Sequence, residues 1–297
     1  MKTLPNIERF LESSLQSSRN NPPLAVFDCD GTLIKGDIGE AMFYFQLDHF
    51  LFRESPARLW PDHPQRAELQ EAYESLLRVQ PHRSDDDRRF TTFANLVLSH
   101  YFNQLGEGKT EKACSDIVRL FSGFKTSEVM EIAADTLRFE LQAPIGRRIL
   151  GEHVLPAGIR YFREVKTLVQ RLQELGFDIR VISGSNRWSV EEVCRPLLLE
   201  PDKIIGIDLE VRGGFFSDDV VNPVPVRDGK VHALEASGLR SPEIVVSDST
   251  YDLPLFQYSG GLKVLIRSND SGEKFFEHTG VTADDSWVVI APPTLDT

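Results

Sequence analysis

The chain has 297 residues, 41% hydrophobic and 26% charged, which is enough for a sizeable core and ordinary for a globular protein. Its formal net charge of −12 excludes a nucleic-acid backbone as partner, because that requires a basic face, though it leaves room for a local pocket that takes a small anion. No apolar run of about eighteen residues occurs, which excludes a membrane-spanning helix.

The N-terminal stretch, Met1 to Pro23, lacks the continuous apolar segment of an export signal. Leu4, Ile7, Phe10-Leu11 and Leu15 recur at helical spacing, predicting an amphipathic helix packed on the body, and a cytoplasmic location is expected. Leu24-Ala25-Val26-Phe27 then reads as a short buried strand. It ends in Asp28 and Asp30, one residue apart, followed by the glycine turn at Gly31 and the hydroxyl of Thr32. Taken alone, this is ordinary turn punctuation. Cys29 alternates to the opposite side of the strand and should face the core. With Cys114 and Cys194 it makes an odd, widely spaced set without C-x-x-C, read as free thiols in a reducing compartment.

From Ile38 to about Pro156 the period is helical. Predicted helices run over 40–52, which is rich in aromatics, 65–79, 86–105, 110–121 with Thr110 as cap, and 127–142. The run Asp85-Asp86-Asp87-Arg88-Arg89 reads as a solvated helix start. So much helix cannot be a loop, so residues 37–156 are expected to form a helical cap domain inserted after the first strand. From Gly158 strands and helices alternate. A helix over 159–175 ends at Gly176, and a strand over 177–182 leads to Ser183-Gly184-Ser185-Asn186. A helix over 188–199 and a strand over 203–209 follow. Next come a hairpin turning at Gly213-Gly214, a helix from Gly229-Lys230, and a strand Ile244-Val245-Val246 ending at Ser247-Asp248. A short helix over 253–258 and strands over 262–266 and 287–290 complete the pattern. The fold class is α/β: a Rossmann-like parallel sheet with helices on both faces, in residues 1–36 and 157–297, plus the inserted cap.

Four polar sites fall at strand ends or helix starts: Asp28/Asp30, Ser183, Lys230, and Asp248 with Asp252. Open parallel sheets gather their chemistry at the carboxyl ends of strands. There Asp28 suits nucleophilic attack on phosphorus, and Asp30 suits protonation of the leaving oxygen followed by activation of water. The Ser183 hydroxyl and the N–H groups after it, from Gly184 on, suit a phosphoryl oxygen. Lys230 supplies a cation, and Asp248 a hard oxygen for Mg²⁺. Asp252 suits either a metal-bound water or the orientation of Lys230. Each residue alone has an ordinary structural explanation; together they recur in the order of one site.

These motifs resemble the haloacid dehalogenase-like hydrolase superfamily, in particular its phosphoserine phosphatase-like branch. Asp28-Cys29-Asp30-Gly31-Thr32 matches the first motif, Ile182-Ser183-Gly184-Ser185-Asn186 the second, Gly229-Lys230 the third, and Ser247-Asp248-Ser249-Thr250-Tyr251-Asp252 the fourth. The fourth departs from the usual pattern by Ser247 in place of glycine and Tyr251 in place of the commoner asparagine. The resemblance implies Asp28 as nucleophile, Asp30 as acid/base, Ser183, Gly184 and Lys230 as phosphate ligands, and Mg²⁺ held by Asp28, Asp248 and the Asp30 backbone carbonyl.

Within that superfamily Asp30 favours phosphomonoester hydrolysis over dehalogenation or phosphonate cleavage, and the lack of spanning segments excludes an ion pump. A mutase, which also keeps both aspartates, stays open. The expected partner is a small phosphorylated metabolite, amine-bearing and phosphoserine-like. Asp37 lies near the position where phosphoserine phosphatases keep an acid for the substrate amine. Glu40 is a second candidate, and Phe43, Tyr44 and Phe45 either wall a quaternary ammonium or simply pack the cap. The region 37–41 also resembles phosphorylcholine phosphatases, making phosphocholine or phosphoethanolamine the alternative. A non-catalytic phospho-ligand-binding domain is the alternative of a different class, distinguished by the absence of Mg²⁺-dependent turnover.

Overall fold

The computed structural model describes residues 21–78, 88–268, 274–291 and 293–296. The chain divides into two compact units, one from Met1–Ile38, Ile159–Gly206 and Asn222–Thr297, the other from Gly39–Gly158 and Ile207–Val221.

The first unit is the α/β core. Strand β1 (Leu24–Phe27) is buried at every position, as expected when helices cover both faces of a sheet and no polar alternation is needed. A two-stranded ribbon pairs β2 (Ile34–Lys35) with β5 (Arg160–Tyr161). The ribbon displaces the start of the helix expected over 159–175, and α7 begins at Arg163 and runs to Glu174. Strand β6 (Asp178–Asn186) continues past Ile182 through the second motif before α8 (Arg187–Cys194). Beyond β7 (Ile204–Ile207) come α9 (Asp228–Ala236), β10 (Ile244–Ser247) and α10 (Leu253–Tyr258). Strand β11 (Leu262–Ile266), α11 (Phe275–Thr279) and β12 (Trp287–Ile290) follow.

The six-stranded sheet has the order β12-β11-β10-β1-β6-β7, with β12 at one edge. β1 runs parallel to both neighbours, with Phe27 opposite Val181 of β6 and Val246 of β10. The connections from β1 therefore lead to opposite sides, and the crevice beyond its carboxyl end is a topological switch point. On one face Leu24 and Val26 share a core with Leu234, Phe256 and Phe275, while α7 and α8 pack against β6. All three cysteines are free thiols, and Cys29 and Cys194 are buried.

The second unit is mainly helical: α1 (Ile38–Asp48), α2 (Pro56–Leu59), α3 (Arg66–Leu77), α4 (Arg88–Gly106), α5 (Thr110–Arg119) and α6 (Thr126–Gln142). Aromatic packing holds it together; buried Phe50, Tyr73 and Phe93 and half-buried Phe52 form one ring cluster with centroid separations from 5.4 to 6.3 Å.

Three expectations are corrected here. The helical period does not persist to Pro156: β3 (Gly146–Leu150) and β4 (His153–Ala157) form an antiparallel hairpin, turning at Gly151 with φ 61°. Second, the hairpin of β8 (Leu209–Arg212) and β9 (Phe215–Val220), expected within the core's range, groups with the helical unit. Its backbone is tied there by Gly123 N–H to the Phe216 carbonyl (2.8 Å) and Phe216 N–H to the Phe124 carbonyl (2.9 Å). Third, Thr110 does not cap α5; it is already helical, and the cap position is Lys109. The expected N-terminal helix and the Asp85–Asp87 run lie outside the described residues. Among the described residues no helix is long and apolar enough to cross a membrane.

Candidate active site

The motif residues of the core converge at the carboxyl ends of β1, β6 and β10. Asp28 continues the ladder of β1, its N–H bonded to the Val246 carbonyl at 2.9 Å, which fixes where its side chain leaves the sheet. Lys230, in the first turn of α9, reaches across 202 positions of chain to donate to Asp28 Oδ1 at 2.8 Å. The same ammonium pairs with Asp252 Oδ1 at 2.7 Å and Oδ2 at 2.8 Å. All three side chains are buried. Burial opposes the charge on Lys230, but the two carboxylates outweigh it and hold its pKa above the ordinary value. Burial pushes Asp28 up to about 7; Lys230 pulls it down while Asp252 and Asp30 push it further up. Asp252 thus makes an ion pair with Lys230.

Asp30 is held differently. Its Oδ1 accepts the N–H of Ile38 at 2.7 Å, and its Oδ2 accepts the hydroxyls of Ser185 at 2.7 Å and Ser183 at 3.1 Å. Burial of the carboxyl and then the nearby charge of Asp37 raise its pKa to about 7, against the pull of these hydrogen bonds. The Ser183 hydroxyl is thus buried and engaged with the acid/base candidate. Gly184 leaves only 3.4 Å between an added Cβ and Val226 Cγ2, so the loop before α9 packs closely over it.

Asp248 sits at the turn after β10. Thr32 donates to its Oδ1 at 3.3 Å, and Ser268, which donates to the Gly31 carbonyl at 2.7 Å, lies 3.4 Å from its Oδ2. A Cβ on Gly31 would stand 2.1 Å from Asp248 Oδ2, and Gly31 has φ 71°. Glycine is thus required there both for the turn and for the approach of the carboxylate. Ser247, the departure in the fourth motif, is fully buried and donates to Asp252 Oδ2 at 2.6 Å. It adds a support to the acid that holds Lys230.

Sequence reasoning named the acids and the lysine but missed Ser185, Ser268 and the role of Ser247, all of which hold carboxylates. Their signal was weak: serine beside a glycine or an aspartate at a strand end is ordinary turn composition.

The donor set fits a divalent cation. Asp28, Asp248 and Asp252 are buried and Asp30 is enclosed beside them, while Lys230 is the ammonium among them, shared by two of the four carboxylates. Hard oxygens in excess of buried positive charge are what Mg²⁺ takes, with water and phosphate completing its shell.

The selectivity candidates divide between the units. Asp37 lies in the core, near enough to Asp30 to raise its pKa. Glu40 lies in the helical unit and accepts hydrogen bonds from the hydroxyls of Tyr44 and Tyr101, both at 2.9 Å. Phe43 is 1% exposed and packs its ring 5.4 Å from that of Tyr101 and 5.6 Å from that of Tyr44, which makes it interior to that unit.

A family model described as haloacid dehalogenase-like hydrolase matches residues 23–260. Phosphoserine phosphatase SerB2 of Mycobacterium tuberculosis is 32% identical over 100 residues, which are 32% of this chain and 24% of that one, so the match spans about a quarter of that relative. The phosphoserine phosphatase of Streptococcus thermophilus is 29% identical over 151 residues, 45% of this chain and 68% of that one. A solved structure from Anaerococcus prevotii, described as conserved and functionally unknown, shares the fold at TM-score 0.66 and 18% identity, covering 93% of this chain and 89% of that chain. With the matched region taking in every motif of the site, the chain belongs to the haloacid dehalogenase-like hydrolases.

Proposed function

We propose that the chain is a Mg²⁺-dependent phosphomonoesterase that works through a phosphoaspartyl intermediate on a small amine-bearing organophosphate, phosphoserine-like. The observation that carries the reading is the pairing of two acids with opposite support: Asp28 on the ammonium of Lys230, Asp30 on hydroxyl and amide donors. Asp28 attacks phosphorus, a new P–O bond forms, and the ester P–O bond breaks with its electron pair leaving on the alcohol oxygen. Asp30, whose pKa near 7 lets it carry a proton at neutrality, protonates that oxygen. Water then attacks the acyl phosphate while Asp30 takes back a proton, releasing phosphate and restoring the Asp28 carboxylate. Lys230 and the N–H groups after Ser183 hold phosphoryl oxygens, and Asp252 with Ser247 keeps Lys230 in place. Mg²⁺, held by Asp28, Asp248 and the Asp30 carbonyl, would supply positive charge against the phosphoryl oxygens and keep Asp28 ionised.

The amine preference rests on Asp37, a carboxylate beside Asp30. The alternative, phosphocholine or phosphoethanolamine, draws on Glu40 and its two tyrosine partners, an acid framed by aromatic rings.

Phosphate release from an aryl phosphate, with Mg²⁺ and with EDTA, tests the reaction. Turnover should need Mg²⁺ and fall at least about a thousandfold in Asp28→Asn, as expected for loss of a nucleophile. Robust turnover by that variant would remove Asp28 from its role, and none in the unsubstituted protein would favour a phospho-ligand-binding domain. A panel of phosphorylated metabolites then reads selectivity; strong preference for sugar phosphates or nucleotides would sink the amine assignment.

A further inference from the structure

Gly31 is a point of freedom in the turn after β1. Glycine has the widest conformational range of any residue, and no side chain can stand in for it here, because a Cβ would lie 2.1 Å from Asp248 Oδ2. The carboxylate that requires a glycine therefore needs the peptides on either side of it to be fixed in another way. The Asp30 carbonyl and the Gly31 N–H share one peptide plane, the Gly31 carbonyl belongs to the next, and the two swivel at the Gly31 Cα. The first plane is held within the turn, where Gly31 N–H bonds the Gly36 carbonyl at 3.2 Å. The second is held from outside it. The Ser268 hydroxyl donates to the Gly31 carbonyl at 2.7 Å, across 237 positions of chain. Among the described residues no backbone N–H bonds that carbonyl.

Ser268 follows β11 by two residues, and β11 is not a neighbour of β1, since β10 lies between them. The serine reaches over the end of β10, where its Oγ lies 3.4 Å from Asp248 Oδ2. Three loops thus meet in the order of their strands, with Gly31 after β1, Asp248 after β10 and Ser268 after β11. A serine hydroxyl has one proton to give, and the shorter contact takes it. The bond to the Gly31 main chain is the strong one, and the contact with Asp248 is the weaker.

We propose that Ser268 is a positioning residue for the divalent cation: by pinning the Gly31 carbonyl it fixes the turn that carries the Asp30 main-chain carbonyl beside Asp248. This rests on the reading of Asp28, Asp248 and the Asp30 carbonyl as the ligands of Mg²⁺. Mg²⁺ demands near-ideal placement of its oxygens, so a bond that holds a ligand-bearing turn is read in the affinity for the ion.

Ser268→Ala removes the hydroxyl and Ser268→Thr keeps it. Both are compared with the unsubstituted protein by fitting a Kd for Mg²⁺ to Tm as a function of Mg²⁺ concentration, once with Mg²⁺ alone and once with inorganic phosphate added. The second series reads a cation that binds only together with a phosphoryl group. Kd in Ser268→Ala should rise about tenfold or more, while Ser268→Thr stays within about threefold of the parent. The metal-free Tm of Ser268→Ala should fall by no more than about 4 °C, as for one hydrogen bond in a chain of this size. An unchanged Kd in Ser268→Ala, with or without a fall in metal-free Tm, would overturn the proposal, and so would an equal rise in both variants. No dependence of Tm on Mg²⁺ in the unsubstituted protein, in either series, would remove the cation site and the role of Ser268 with it. Failure to hydrolyse any phosphomonoester, while Kd still differs between parent and Ser268→Ala, would sink the phosphatase reading alone and leave Ser268 in its place.

Discussion

Asp30 shows how much of the site depends on residues without conspicuous chemistry. Its carboxyl is fixed at three points, and two of them are serine hydroxyls on the far end of β6, Ser183 and Ser185. Ser185 makes the shorter bond, 2.7 Å against 3.1 Å, and also has its own N–H bonded to the Ser183 Oγ. Removing that hydroxyl loosens Asp30, and under the proposed reaction it could then turn away from the leaving oxygen. Ser185→Ala should therefore lower kcat about tenfold with KM little changed, while Tm stays near that of the parent. Unchanged kcat would mean that Ile38 N–H and Ser183 suffice to position Asp30. At this scale the acids and the lysine were legible because strand ends collect chemistry and their order along the chain is distinctive. The serines were not, because what identifies them is a partner some 150 positions away, and single-chain composition carries no trace of that pairing.

Among the elements, α5 illustrates a charge that stabilises without acting on substrate. Asp116 is 2% exposed, yet it accepts from Lys112 at 2.5 Å, Arg119 at 2.7 Å and Gln104 at 2.9 Å. Its backbone carbonyl takes the Trp60 indole N–H at 2.9 Å, so one residue joins α4, α5 and the end of α2. Asp62, His100 and Asp116 cluster closely enough to suggest a metal, but Lys112 already bridges Asp62 and Asp116 as their cation. Burial raises the pKa of Asp116, and hydrogen bonds from His100, Lys112 and Gln104 outweigh it, leaving the pKa below the usual carboxylate value. A depressed folded pKa gives stability that is present above the unfolded value and lost as pH falls through the folded one. Asp116→Ala should cost about 2 kcal/mol at neutral pH, discounted because Lys112 and Arg119 are partly solvated. The gap in Tm between parent and variant should narrow as pH drops below about 4, the ordinary carboxylate range. A gap independent of pH would show that packing, not charge, is what the substitution removed. Helix periodicity made this unit readable except at β3–β4. There Ile149 and Val154, paired across the hairpin, are 75% and 59% exposed, so the buried/exposed alternation that marks a strand is reversed in chemistry. The two-residue turn Gly151-Glu152 was the available signal.

At the scale of the whole chain, the parallel sheet was legible because β1 and β10 are continuous apolar runs bounded by turn residues. The grouping of the β8–β9 hairpin with the helices was not, because local pattern says only that a hairpin forms and not where it docks. The net charge of −12 gains meaning from where part of it lies. Asp28 and Asp252 share the ammonium of Lys230, Asp30 and Asp248 add two more acids at the same sheet edge, and the repulsion among Asp28, Asp252 and Asp30 opposes folding. A divalent cation that binds there binds the folded state and not the unfolded one, so it should stabilise by mass action, about 2.7 kcal/mol at a hundredfold excess over Kd. That corresponds to several degrees in Tm for a chain of this size. Mg²⁺ should therefore raise Tm without any substrate, and EDTA should reverse the rise. Asp248→Asn should abolish the increment while leaving the metal-free Tm equal to or above that of the parent, since one buried like charge has gone, Thr32 can still donate to the amide oxygen and Ser268 keeps the Gly31 carbonyl. An equal Mg²⁺ increment in Asp248→Asn would place the cation elsewhere, and no increment in the unsubstituted protein would mean that the cation binds only together with the phosphoryl group.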